Sequence, residues 1–74
     1  MKVKELQQHQ MDWVTKNQTI FRVSLRLNQD QLMRLFNIYN SITGEQKKVT
    51  SCGRCLDGVK KIVYGQYQRQ INQE

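Results

Sequence analysis

Apolar positions along the first fifteen residues fall at Val3, Leu6, Trp13 and Val14, with the polar Gln10 between them on the same face. Spacings of three, four and seven place these residues on one narrow stripe of a helix, predicted over about 2–15 and interrupted at Asn17-Gln18. The period then changes. Phe21, Val23, Leu25 and Leu27 alternate with Arg22, Ser24 and Arg26. Alternation rich in β-branched and aromatic residues predicts a half-buried strand or arm over 19–27.

The helical period returns at Leu32, Leu35, Phe36, Tyr39 and Ile42, with Met33 and Ile38 at the flanks of the stripe. Asn28 is placed to cap this helix, Asp30 suits its positive first turn, and Gly44 is suited to end it in the left-handed conformation. A helix over 29–43 follows. After a polar link, a last stripe runs through Cys52, Cys55, Leu56, Val59, Ile62, Val63 and Tyr67 toward Ile71. It predicts a helix over 51–72, capped by Thr50 or Ser51 and weakened by Gly53, Gly58 and Gly65. At about 33 Å it would exceed what so short a chain needs to cover its own core.

The expected fold is therefore α+β and mostly α, a single small domain over 1–74 with three helices and one extended strand. A lone strand leaves its N–H and C=O groups without a ladder. Phe21, Val23, Leu25 and Leu27 are accordingly expected to pair with a partner, either a second copy or the edge of a larger protein.

With 74 residues, 38% of them apolar and 24% charged, and a mean hydropathy of −0.74, the chain is thinly provided with core. Domains of this size return little net stability from apolar burial alone. No apolar run approaches the roughly 18 residues of a membrane span, and the polar start does not form a leader's apolar stretch. The expectation is a chain that neither enters a membrane nor is secreted.

The net charge of +6 is uneven: residues 46–74 carry six basic and two acidic side chains. Lys47, Lys48, Arg54, Lys60 and Lys61 are candidates to meet phosphate or an acidic protein surface. A helix-turn-helix reading places Thr50, Ser51 and Arg54 at the start of a recognition helix, although such turns usually span three or four residues.

Cys52-Gly53-Arg54-Cys55 is the one motif with chemical content. Two thiols at i, i+3 suit a disulfide or half of a zinc tetrahedron, to be completed by His9 or by a second subunit. A thioredoxin-type reading conflicts with the absence of proline, since that fold places a cis-proline beside its disulfide. The reading adopted is that both thiols are small apolar groups buried between helices. His9 belongs to a polar face, and Asp12 and Asp57 have no acid–base spacing. Tyr39, Tyr64 and Tyr67 read as stripe-edge packing. No nucleophile–base pair emerges, so neither catalysis nor a cofactor is expected.

The run from Tyr39 to Cys55, with its Tyr-Asn…Thr-Gly turn, Lys47-Lys48 link and Thr50-Ser51-Cys52-Gly53-Arg54-Cys55 opening, resembles a module in small proteins of tailed bacteriophages, particularly the crAss-like phages of gut Bacteroidales. The similarity covers about 32–63 and leaves out the Trp13 helix and the 19–27 arm. It implies a structural, non-enzymatic virion component, concretely a small auxiliary capsid or head-associated protein assembled in the host cytoplasm. The implied partners are capsid or other virion proteins, further copies of the chain, and packaged DNA. The alternative from the residues alone is a small basic nucleic-acid-binding regulator.

Overall fold

The computed structural model describes residues 3–22 and 26–72. Four helices succeed one another: α1 (Gln8–Lys16), α2 (Gln18–Arg22), α3 (Gln29–Thr43) and α4 (Gly53–Ile71). No strand occurs among the described residues, which overturns the expected α+β class.

Local chemistry sets most boundaries. At α3 the Asn28 side chain accepts from the Gln31 N–H at 2.8 Å, and the Gln31 side chain accepts from the Asn28 N–H at 2.9 Å. This reciprocal pairing satisfies two donors that a helix start otherwise leaves open. The helix stops at Gly44, whose φ of 76° costs a residue without Cβ little, while its N–H donates to the Asn40 carbonyl at 2.9 Å. α4 starts later than expected. Cys52 takes the cap position, and the Thr50 hydroxyl accepts from the Cys52 N–H at 3.2 Å instead of capping the helix itself.

The first helix also begins later than expected. Residues 3–7 form no helix and lie as a strap across the ends of α3 and α4, and Leu6 packs into the core from there. The Lys4 N–H donates to the Ile42 carbonyl at 2.7 Å. The Gln70 side chain holds Leu6 from both sides, accepting from its N–H at 2.6 Å and donating to its carbonyl at 3.1 Å. A glutamine amide thus supplies the pairing that a neighbouring strand would have supplied.

In the described part of the predicted strand at 19–27, residues 19–22 belong to α2 and residues 26 and 27 form no strand. α2 follows directly on Asn17, which closes α1 with its N–H on the Trp13 and Val14 carbonyls. Ile20 is buried, Phe21 is half-buried against the core and Leu27 is buried. Phe21 and Leu27 therefore pack against the core of this chain. Val23 and Leu25 lie outside the described residues. The physical reason is tertiary: Phe21 stacks on Tyr64 of α4, with ring centroids 5.2 Å apart and planes within 12°. Helical backbone reaches that contact without leaving a strand's hydrogen-bonding groups unpaired.

The core gathers Leu35, Phe36 and Ile42 of α3, Val59 and Val63 of α4, and Val14 of α1, all essentially inaccessible to water. Ile38, expected at a flank, is buried too. α4 is about 28 Å long at 1.5 Å per residue, matching a molecule of 33 × 24 × 19 Å. From Leu56 to Gln70 its inner side is used by the rest of the chain, so the last helix does not overrun the core. The radius of gyration, 11.4 Å, agrees with about 11 Å for a globular chain of this length.

Candidate nucleic-acid interface

Two half-open grooves lie along the outer side of α4 and meet at Asp57 and Lys60. The first, of about 430 Å³, runs between α2 and α4 and is bounded by Phe21, Arg22, Lys60, Lys61 and Tyr64, with Gly65 in its wall. The second, of about 600 Å³, continues past Arg26, Leu27 and Leu32 to Ser51 and Gly53 at the start of α4. Residues 57, 60, 61, 64, 65 and 68 share a helix face by their spacing of three, four and seven, which is why one helix lines so long a track.

Four cations, Arg22, Arg26, Lys60 and Lys61, border this track against a single carboxylate, Asp57. The ion pair found among the described residues is elsewhere, between Arg34 and Asp30 at 3.9 Å on α3. Asp57 shares the groove without reaching bridging distance of the four. Lys60 is half-buried, while Arg22, Arg26 and Lys61 are exposed. A track of net positive charge with low-dielectric walls concentrates its field on an incoming polyanion.

The aromatic side chains beside the track are already committed to each other. Tyr64 is sandwiched between Phe21 and Tyr67, whose centroids lie 5.2 and 5.7 Å away in near-parallel planes. Trp13 meets Phe21 edge-on at 6.2 Å. Tyr67 is further fixed through its hydroxyl, which pairs with the Thr15 hydroxyl at 2.6 Å and accepts from the Gln18 amide at 3.3 Å. Tyr64 is engaged by both neighbouring rings, and the ladder welds α1, α2 and α4 together. What the groove can recognise is charge.

The structure divides the basic residues foreseen from sequence. Lys60 and Lys61 line the track, whereas Lys47, Lys48 and Arg54 line neither groove. Lys47 is held in the link: its backbone N–H and carbonyl pair with the Asn40 side chain at 3.0 and 3.1 Å, and its ammonium lies 5.2 Å from the Tyr39 ring centroid. Beside it, Tyr39 donates a hydrogen bond to the Glu45 carboxylate. That bond, together with burial and the negative charge, pushes the phenol up to about 12. The link between α3 and α4 is nine residues, 44–52, too long for the tight turn of a helix-turn-helix. Arg22 and Arg26 were not singled out, because alternation assigned them to the outer face of a strand. Arg22 ends α2 and Arg26 lies outside any helix, so no periodicity in the sequence pairs them with the α4 lysines.

Cys52 and Cys55 are both exposed, which corrects the expectation of buried thiols between helices. No group of three or more His, Cys, Asp or Glu side chains able to hold a metal forms among the described residues. His9 is exposed and lines a separate small cavity with Trp13 and Arg34, of about 170 Å³. Among the described residues no helix is long and apolar enough to cross a membrane. Comparison with family models, curated proteins and solved structures finds no match to this chain, so its function is argued from the chemistry of its surface.

Proposed function

We propose that this chain is a small binding protein that holds a nucleic-acid backbone in the track along α4, reading phosphate charge and not base sequence. The observation that carries the reading is the alignment of Arg22, Arg26, Lys60 and Lys61 along two contiguous grooves, none of them ion-paired among the described residues. The stacking of Phe21, Tyr64 and Tyr67 on one another argues for backbone contact over base stacking, since stacking platforms offer rings not already engaged. The resemblance of the 39–55 segment to small proteins of tailed phages suggests a setting: a head-associated or auxiliary capsid protein whose polyanion is packaged DNA. In that setting an acidic capsid surface is the competing occupant of the same groove.

Fluorescence anisotropy with labelled DNA, repeated across salt concentrations, tests the proposal. Four phosphate contacts give a log–log slope of about −3.6 on duplex or about −2.8 on single strand, so duplex affinity falls about 150-fold between 50 and 200 mM salt. Lys60→Gln with Lys61→Gln halves that slope, and sequence composition of the probe has little effect. A salt slope near zero, or one unchanged by the double substitution, overturns the reading. Retention of the chain by an acidic protein surface in place of DNA assigns the groove to capsid docking.

A further inference from the structure

The exposed thiols of Cys52 and Cys55 stand apart from both grooves and are not used by the nucleic-acid reading. Cys52 is the residue at which α4 begins, with φ −59° and ψ 121°, and its carbonyl accepts the Leu56 N–H at 2.9 Å. That bond closes the first turn around Gly53, Arg54 and Cys55. Helical geometry puts Cα atoms three residues apart at about 5 Å, inside the range of about 4.4–6.8 Å that a disulfide asks for. The Cβ atoms must then close to about 3.5–4.5 Å, a small adjustment at Cys52, whose ψ of 121° already lies outside the helix. Both are open to water and to a small reagent, and an ideal Cβ on Gly53 between them would touch nothing within 4 Å.

The two thiols are not equivalent. The Cys52 thiol is pulled below its ordinary value by the Cys55 N–H, then by the Cys55 thiol and the Arg54 N–H. The Cys55 thiol is pushed up, chiefly by its hydrogen bond to Cys52 and by the negative charge developing there, with Lys47 opposing. Free N–H groups at a helix start stabilise a thiolate, and the second thiol gives up its proton only after the first has reacted.

We propose that Cys52 and Cys55 form a thiol–disulfide exchange site for small-molecule disulfides of the glutathione class, with Cys52 attacking and Cys55 resolving. In the first step the Cys52 thiolate attacks one sulfur of the disulfide. An S–S bond forms to Cys52, the original S–S bond breaks, and one small thiolate leaves. In the second step Cys55 loses its proton to solvent and attacks the Cys52 sulfur, releasing the second small thiolate and closing the Cys52–Cys55 disulfide. The small disulfide is reduced to two thiols as the protein dithiol is oxidised.

The test is intact-mass spectrometry of the reduced chain incubated with oxidised glutathione at neutral pH, for wild type, Cys55→Ser and Cys52→Ser. Wild type should end as a monomer lighter by two hydrogens and without adduct. Cys55→Ser should stop at a stable glutathione adduct on Cys52. Cys52→Ser should react at least about threefold more slowly, because thiolate fraction rises faster than nucleophilicity falls as a thiol's pKa drops. Far-ultraviolet circular dichroism confirms that the exposed-site variants remain folded. A wild-type product carrying two adducts, a disulfide-linked dimer, or equal rates in the two single variants would overturn the assignment.

Discussion

Replacing Gln70 by Ala removes the two hydrogen bonds that hold the strap of residues 3–7 at Leu6. Each is worth about 0.5–1.5 kcal/mol net in a folded protein, so the direct loss is about 1–3 kcal/mol. If the strap peels away, burial of the Leu6 side chain, now 5% exposed, is lost as well, at about 1.5–3 kcal/mol before the regained chain entropy offsets part of it. A midpoint of about 2 kcal/mol lowers the melting temperature by about 8–16 °C, a large share of the 4–11 kcal/mol expected for about 74 residues. Thermal denaturation followed by circular dichroism gives the stability, and amide exchange of Leu6 gives the local opening. A double-mutant cycle with Leu6→Ala separates the two contributions: a peeled strap leaves little for the second substitution to remove. A melting temperature within about 2 °C of wild type, with Leu6 protection intact, would refute the idea that a glutamine amide stands in for a strand.

Other expectations follow from single features. Asp57→Asn removes the only carboxylate among the described residues that borders the α4 track and should raise DNA affinity about two- to fivefold at low salt, with the gain shrinking as salt rises; an unchanged affinity would place the phosphates elsewhere. Gly58→Ala and Gly65→Ala should each stabilise the chain by about 0.5–1 kcal/mol in denaturant titration, because a Cβ at either position meets nothing within 4 Å. Gly44→Ala should instead destabilise by about 1–2 kcal/mol, its φ of 76° being unfavourable for a side chain. The raised Tyr39 phenol makes folding favour its neutral form. The contribution it makes is intact below about pH 10 and is lost as pH rises toward about 12, and Glu45→Gln should move its tyrosinate absorbance transition to lower pH.

The parts of the fold legible in the sequence are those where local chemistry and long-range packing agree. At α3, Asn28, Asp30 and Gly44 mark the ends and Leu32, Leu35, Phe36, Tyr39 and Ile42 mark the buried side, and the helix Gln29–Thr43 follows both signals. Segment 19–27 failed because alternation is only half of a strand: the other half is a partner ladder, and here Phe21 finds an aromatic stack on α4 instead. The strap was hidden for a related reason. Val3 and Leu6 fit a helical stripe with Trp13 and Val14, and nothing nearby announces that Gln70, 64 residues away, pairs with Leu6. Gln and Asn number 16 together. Gln10, Asn28, Gln31, Asn40 and Gln70 bind backbone groups at helix ends, the link and the strap. Of the site, Lys60 and Lys61 were foreseen; Arg22 and Arg26 were misplaced with the strand. The exposure of the two thiols depends on where α4 starts, a boundary that shifted by two residues.

The Leu6–Gln70 clasp has a consequence for synthesis. A ribosome releases residue 6 long before residue 70, so while most of the chain is being made the strap has only its Lys4–Ile42 contact with α3 and lacks the Gln70 clasp. α1 and α3 can form as they emerge, but the N-terminal segment must wait for the far end of α4. The docking of the strap is therefore timed by the emergence of Gln70, and a chain cut before Gln70 lacks both hydrogen bonds that hold Leu6 in place.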